Sequence, residues 1–287
     1  MIALCRKGAS ITAGNEGEKR MRKIILAALA ATALSACGSD DAAEVTEAPE
    51  YRAGQYMQAI NDIARIDDQQ YDETRKPAEL LAFAQIDKGE AVGDYIMGGG
   101  YVTRLLATAV GADGRVYAFQ PTEFIAFRSE YADEQDAAVA PYSNEQGEPV
   151  SVFPLRASIT DPGWPEPLDT IITVMNLHDL FIPQMPEGTA EAAIANLYAS
   201  LKPGGTLVVV DHLAADGGGL EAIDKLHRMD RDVALQALTG AGFVLEEESD
   251  LYSHPDDPRD ANVFDESIRG KTDQFAWRLR KPEDAAE

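Results

Sequence analysis

The feature that most constrains this chain is residues 92–107, where an apolar run reaches three glycines and continues as a helical pattern. Gly98, Gly99 and Gly100 can adopt positive φ angles and let a ligand approach the backbone closely, which a Cβ atom would hinder. A helix that starts there directs its unpaired N–H groups at the ligand. A second apolar strand, 115–120, follows and should lie beside the first in a parallel sheet. The segment therefore predicts a strand, a tight loop and a helix that together form a nucleotide-binding turn.

Three glycines could also form a simple flexible turn. The surrounding residues decide between that turn and a nucleotide-binding one. Asp94 stands in the first strand, and residues 202–205 read Lys-Pro-Gly-Gly before another apolar strand. With these features, residues 75–282 resemble the class I S-adenosylmethionine-dependent methyltransferases. Within that family the chain is most similar to a group of predicted bacterial methyltransferases with a G-G-G loop, an N-x-H-D turn and a D-H pair. Ile96 is a departure, because the commonest family pattern has glycine there.

The resemblance implies an α/β fold. It would be a Rossmann-like, seven-stranded sheet, mostly parallel with an antiparallel C-terminal hairpin, and helices on both faces. Short apolar runs between turn signals predict the remaining strands. These runs are 150–155, 169–175, 206–212, 243–248 and 275–280. Helical spacing predicts helices at 123–131, 188–201 and 231–241, and periodicity alone does not pair the last two strands.

Two amphipathic helices are predicted before the glycine loop. One covers 54–65, and the other begins at Pro77, since proline is favoured at the first helical position. We expect both helices to cover one edge of the sheet and to close over the cofactor. Arg75 and Lys76 could reach a ligand carboxylate, although charges before a helix often face solvent without any ligand.

The cofactor implied by the resemblance is S-adenosylmethionine. In an open α/β sheet, ligands bind outside the carboxyl ends of the strands, so residues that end different strands converge. The candidate cofactor-binding residues are Asp94, Gly98, Gly99, Gly100, Gln120 and Asn176. Gln120 stands where nucleotide-binding folds carry an acid for the ribose, and glutamine still offers one carbonyl acceptor and one amide donor. The missing charge would weaken that contact by about 1 kcal/mol.

His178, Asp179 and His212 are the candidate catalytic residues. A neutral imidazole near pH 7 can take a proton from a nucleophile, so His178 is a candidate general base with Asp179 or Asp211 as its partner. His178 could equally be a structural histidine that ties one loop to another, and His212 has the same two interpretations. His227 lies in a Leu-His-Arg-Met-Asp turn that is similar to a motif of the family and is expected to close the site.

The same histidines and aspartates are of the residue types that bind metal ions. However, the sequence contains no H-x-x-x-H or C-x-x-C spacing. No metal site is therefore predicted from the sequence.

The N-terminus resembles the leader of a bacterial lipoprotein. Basic residues precede an apolar run, 24–34, that is too short to span a bilayer, and small residues then lead to Cys37. We expect residues 1–36 to be a signal peptide, with Met21 as its natural start and 1–20 upstream of it. Residues 37–53 would be an acylated cysteine and a flexible acidic tether, and 54–287 the methyltransferase-like domain. Gly38 after the cysteine favours the outer membrane, with the domain facing the periplasm.

The net charge of the chain is −24 at pH 7, and the leader itself is basic. Such an acidic protein repels phosphate backbones, which argues against nucleic-acid partners. With Cys5 in the leader and Cys37 acylated, no cysteine pair remains for a disulfide. The expected partners are a small-molecule substrate and the membrane, reached through the lipid on Cys37.

These features predict methyl transfer from S-adenosylmethionine to an unidentified small-molecule or cell-envelope acceptor. The alternative is a lipoprotein that keeps the fold as a binding or structural module without turnover. Ile96, Gln120 and an address outside the cytoplasm favour that alternative. A nicotinamide oxidoreductase is disfavoured, because the G-x-G-x-x-G pattern would need a glycine at Thr103.

Overall fold

The computed structural model describes residues 50–283. The expected signal peptide, Cys37 and most of the expected tether lie outside the described residues. The described helices are α1 (Glu50–Ile60), α2 (Asp72–Arg75), α3 (Pro77–Ala84), α4 (Tyr101–Ala109), α5 (Thr122–Phe127), α6 (Glu130–Val139), α7 (Thr189–Ser200), α8 (Gly219–Leu226) and α9 (Arg231–Gly240). The described strands are β1 (Ala91–Tyr95), β2 (Arg115–Pro121), β3 (Val152–Ala157), β4 (Leu168–Val174), β5 (Leu201–His212), β6 (Val244–Ser249) and β7 (Gln274–Arg280). None of these helices is long and apolar enough to cross a membrane.

The strands form one sheet in the order β3-β2-β1-β4-β5-β7-β6. The first five strands in this order are parallel to one another, whereas β7 runs antiparallel to both β5 and β6. The expected seven-stranded sheet with an antiparallel C-terminal pair is confirmed. The order changes direction between β1 and β4, and ligands bind at such a switch point in open α/β sheets.

Helices cover both faces of the sheet, as expected. Successive strand residues point to opposite faces, so Val208 of β5 belongs to one buried cluster and Val209 to the other. The first cluster includes Leu105 of α4, and the second includes Leu197 of α7. The apolar runs of the central strands are therefore continuous because both of their faces are buried.

The N-terminal helices pack over the glycine loop. Helix α1 contacts α3 and α4, and it begins at Glu50, so it includes the last residues of the segment expected to be a tether. Arg52 of α1 donates from Nε to Asp87 Oδ1 at 2.7 Å. Between α1 and α2, Asp68 accepts two hydrogen bonds from Arg104 of α4, at 2.6 and 2.7 Å. The segment that precedes β1 is thus fixed to the helix that follows it.

Several element boundaries differ from the expected ones, and two of them show why. The helix expected at 123–131 is two helices, because Arg128 is extended (φ −142°, ψ 103°) and ends α5. Strand β3 begins at Val152 rather than at Val150, whose side chain is 62% exposed and therefore adds nothing to the core. Both differences lie away from the switch point.

Candidate functional site

A cavity of about 360 Å³ lies at the carboxyl ends of β1 and β4, above the glycine loop. Its volume falls in the range of small-molecule binding sites. Asp94, Gly98, Gly99 and Asn176, which were selected from the sequence as cofactor-binding residues, line this cavity. Gly100 and Gln120 are not among its lining residues. Four of the six residues chosen from the sequence because they lie in or after the ends of strands therefore line the cavity found in the structure.

The glycines of the loop differ in what they do. A Cβ on Gly99 would have no neighbour within 4 Å, so the backbone is open on that side. A Cβ on Gly100 would lie 2.5 Å from Cβ of Ala138, and Gly100 also has a φ of 81°. Gly98 has a φ of 53°, again in the left-handed region. Gly100 is thus needed for close packing against α6, whereas Gly99 leaves space beside the cavity.

Two residues other than glycine hold left-handed conformations where strands end at the cavity. Ile96 has a φ of 65° after β1, and Met175 has a φ of 63° after β4. For a β-branched residue this conformation is a true outlier, and such strain concentrates at binding sites. Asn176 Nδ2 donates to the carbonyls of Ile96 (3.0 Å) and Val174 (2.7 Å), which ties the two strand ends together. Ile96 therefore adopts the backbone conformation that glycine would take more easily.

Asp94 places a carboxyl group in the cavity wall. Its side chain is almost fully buried (3% exposed), and the Thr103 hydroxyl donates to Oδ2 at 2.5 Å. Burial raises the pKa of Asp94 to about 6, although Thr103 and the charge of Arg104 act in the opposite direction. A cationic ligand group beside this carboxyl would stabilise its ionised form.

Arg75 places a cation in the same cavity. Its guanidinium group lies 4.5 Å from the ring centre of Tyr101 and 5.1 Å from that of Tyr71. No ion pair of Arg75 occurs among residues 50–283, so the charge is available to a ligand carboxylate. Lys76 differs from the expectation, since its Nζ donates to the carbonyl of Leu251 at 2.6 Å.

Residues that sequence reasoning did not select complete the walls of the cavity. Asp68 and Tyr71 come from the segment before α2, and Tyr252 comes from the long polar segment between β6 and β7. The Tyr252 hydroxyl donates to the carbonyl of Arg75 at 2.7 Å, and Arg104 Nη2 donates to the carbonyl of Gly99 at 3.0 Å. No spacing in the sequence indicates the contact of Tyr252 with Arg75, because it joins segments that are remote along the chain.

Gln120 is the last residue but one of β2 and is fully buried. Neither its side-chain oxygen nor its nitrogen has a hydrogen-bond partner in the described structure. A buried amide without a partner is costly, and a ligand hydroxyl would satisfy it. Contact between Gln120 and a ribose would require the covering side chains to move, since Gln120 does not line the cavity.

His178 and Asp211 form a buried pair at the ends of β4 and β5. His178 Nδ1 lies 2.8 Å from Asp211 Oδ1, and the backbone N–H of His178 donates to Oδ2 at 2.8 Å. His178 Nε2 lies 3.5 Å from Asp179 Oδ1. Of the two expected partners of His178, Asp211 holds the ring, and Asp179 stands on its other side.

The charges around His178 decide its protonation state. Burial lowers the pKa of His178, whereas the charge and hydrogen bond of Asp211 and the charge of Asp179 raise it, and the result is a pKa of about 9. Burial also raises the pKa of Asp179, to about 6. The imidazole therefore keeps its proton near pH 7, so the neutral form that a general base needs is disfavoured.

Two further histidines, His212 and His227, approach His178 from different segments. The ring centre of His212 lies 6.2 Å from that of His178, and that of His227 lies 5.6 Å away. His212 Nδ1 is 2.8 Å from the Thr272 hydroxyl, and burial lowers its pKa to about 4. Burial also lowers the pKa of His227. The three predicted catalytic residues and His227 thus lie together, but none of them lines the cavity described above.

Comparison with solved structures identifies the fold. An S-adenosylmethionine-dependent methyltransferase from Aquifex aeolicus superposes with a TM-score of 0.51 at 18% identity, covering 77% of this chain and 98% of the other. The cyclase SpnF superposes with a TM-score of 0.52 at 17% identity, covering 74% of this chain and 81% of the other. No family model and no curated protein matches the sequence. The chain has the fold of the class I S-adenosylmethionine-dependent methyltransferases.

Proposed function

We propose that this protein binds S-adenosylmethionine and transfers its methyl group to a small-molecule or cell-envelope acceptor. The observation that carries the proposal is the cavity at the switch point, which places a buried carboxyl, Asp94, and the guanidinium of Arg75, which has no ion pair among residues 50–283, beside an open glycine loop. The amino-acid end of the cofactor carries an ammonium and a carboxylate, so its charges complement these two groups. The fold supports the same conclusion.

The residues around the cavity fit the cofactor. Asp94 would hold its ammonium group, Arg75 its carboxylate, and the backbone at Gly98 and Gly99 would lie along it. Gln120 has an amide without a hydrogen-bond partner among the described residues, and it would accept a ribose hydroxyl. When bound, S-adenosylmethionine supplies an electrophilic methyl group. The chain contributes binding, orientation and exclusion of water from the cavity.

The test is calorimetric titration of the purified full chain with S-adenosylmethionine and with its demethylated product. We expect dissociation constants in the micromolar range. No heat and no thermal shift at millimolar ligand would reject the proposal. A screen of small acceptors with radiolabelled cofactor would then test for turnover.

A second candidate is a module with this fold that binds a ligand without turnover. The burial of Gln120 away from the cavity favours it, because the ribose contact is not preformed. A fold also does not determine a reaction, since a cyclase shares this one. Cofactor binding without transfer to any acceptor in the screen would favour this candidate.

We further propose that the domain is anchored to the cell envelope by a lipid on Cys37, facing the periplasm. Support comes from the basic and apolar leader and from the small residues before the cysteine. We expect Cys37→Ser to release the protein from the membrane fraction, because the acyl chains would be lost. Unprocessed wild-type protein in the cytosol would contradict this. The acidic chain also favours a small molecule or an envelope component over nucleic acid as acceptor.

A further inference from the structure

Three side chains with metal-ligating atoms converge beside the cofactor cavity. His178, Asp179 and His227 each offer one ligand atom, and these atoms all lie within 4.8 Å of one another. His178 Nε2 and Asp179 Oδ1 are 3.5 Å apart. Ligand atoms at about 2.0–2.2 Å from one ion in a tetrahedral site are roughly 3.4 Å apart, so this pair needs almost no adjustment. His227 would have to approach by at most about 1.4 Å.

The environment of His178 is that of a metal-binding histidine. A ligating histidine usually gives its second ring nitrogen to a carboxylate, which fixes the orientation of the ring and strengthens the ligand. Asp211 does this at Nδ1, at 2.8 Å, and also accepts the backbone N–H of His178. Asp211 is fully buried, so its charge is poorly screened by water. Nε2 is left facing Asp179 and His227.

The backbone around His227 fixes the position of this residue beside His178. It ends α8 in a left-handed conformation (φ 52°), which is strained for a residue with a Cβ atom. The next residues are fixed beside β5, because the Met229 N–H donates to the His212 carbonyl at 2.7 Å. The half-buried ring of His227 touches exposed Phe264, so it can turn more easily than His178 can.

We propose that His178 Nε2, the Asp179 carboxylate and a ring nitrogen of His227 bind one divalent transition-metal ion, which displaces the proton from His178 Nε2. Two imidazoles and one carboxylate suit Zn²⁺ or Fe²⁺, and the coordination positions that remain would be open to water or to a substrate oxygen. The two carboxylates around one imidazole supply the negative charge that a divalent cation needs. The missing H-x-x-x-H spacing does not exclude the site, because β4 and α8 bring its ligands together from separate parts of the chain.

The test is metal binding by the purified full chain after treatment with a chelator. We expect one Zn²⁺ per chain by calorimetry. Co²⁺ should bind in competition with Zn²⁺ and show the visible absorption of a site with nitrogen ligands. His227→Ala should weaken Zn²⁺ binding at least about 10-fold, and Asp211→Asn, which changes a positioning residue, about 10-fold. His227 is half-buried at the end of a helix, so its variant should fold even if one at His178 does not.

Two controls separate this site from other cation binding. His254→Ala removes the histidine that lies outside the group and should leave Zn²⁺ affinity unchanged. S-adenosylmethionine affinity should also be unchanged in His227→Ala, so failure of the metal site would not be confused with failure of the cofactor site. The proposal is overturned if wild type binds no Zn²⁺ at micromolar concentration, or if wild type and His227→Ala bind it equally.

Discussion

Replacing Asp94 by asparagine should make the protein more stable at alkaline pH and weaken its binding of the cofactor. The carboxyl is 3% exposed, and burial raises its pKa from 3.8 to about 6. A carboxyl whose pKa is raised on folding contributes stability below its ordinary pKa, and that stability is lost as the pH rises through about 6. Asparagine carries no charge and still accepts the hydrogen bond of the Thr103 hydroxyl, now made to Asp94 Oδ2 at 2.5 Å.

The shift in pKa sets the size of the effect. Relative to a neutral side chain, the titration of Asp94 lowers the free energy of unfolding by about 3 kcal/mol at pH 8 and by about half of that at pH 5. We therefore expect Asp94→Asn to exceed wild type by about 1–3 kcal/mol at pH 8, and by less at pH 5. Urea denaturation at both pH values measures this, and Asp113→Asn, at an exposed position, serves as the control.

Two results would refute the reasoning about Asp94. One is a variant that is less stable than wild type at pH 8. The other is a gain in stability of the same size at pH 5 and pH 8, since a charge effect must change with pH. Saturating S-adenosylmethionine should stabilise wild type more than Asp94→Asn, because the ammonium group then offsets the buried charge.

Three further predictions concern Arg75, the glycine loop and the partly buried carboxyl of Glu90. Arg75→Met should lower S-adenosylmethionine affinity about 10-fold with little change in melting temperature, as measured by calorimetry and thermal unfolding. Gly100→Ala should destabilise the fold by about 1–3 kcal/mol in urea denaturation, because its Cβ would overlap Ala138, whereas Gly99→Ala should lower cofactor affinity and leave stability nearly unchanged. Burial raises the pKa of Glu90 to about 7, so Glu90→Gln should stabilise the protein by about 1–2 kcal/mol at pH 8 and by less at pH 5.

Each of these three predictions has a control and a contradicting result. For Arg75, the control is Arg269→Met at an exposed position, and equal cofactor affinities of the two variants would remove Arg75 from the site. For the loop, equal stability of the two alanine variants would contradict the packing at Gly100. For Glu90, a gain in stability of Glu90→Gln that is the same at pH 5 and pH 8 would show that the charge of Glu90 does not cause it.

The sequence predicted the sheet well because the central strands are buried on both faces. After Thr170 the run of β4 is interrupted only by Thr173, which is itself buried, and Ile171 and Ile172 belong to opposite clusters. Strand-end positions then placed Asp94, Gly98 and Asn176 at one edge of the sheet, and a parallel sheet brings these together whatever its loops do.

The walls of the cavity could not be predicted in the same way. The contact between the Tyr252 hydroxyl and the Arg75 carbonyl joins residues 177 positions apart, and neither segment has a periodic pattern. The hydrogen bond from Lys76 Nζ to the carbonyl of Leu251 likewise joins segments that are far apart in the sequence. The loop histidine His227 was assigned only a closing role, because no sequence spacing relates it to Asp179.

Several departures from ordinary protein structure lie at the carboxyl end of the parallel strands. Ile96 and Met175 hold left-handed backbone conformations where β1 and β4 end, Asp94 is buried with a raised pKa, and Gln120 is buried without a hydrogen-bond partner among residues 50–283. Local rules are broken most often where a protein binds or reacts, and each departure lowers stability. A module without a ligand would gain nothing from a strained, charged edge, whereas a zwitterionic cofactor with ribose hydroxyls would satisfy both Asp94 and Gln120. His178 follows two residues after Asn176 of the cavity wall, so the proposed metal ligands lie next to the cavity at the carboxyl end of β4, although none of them lines it.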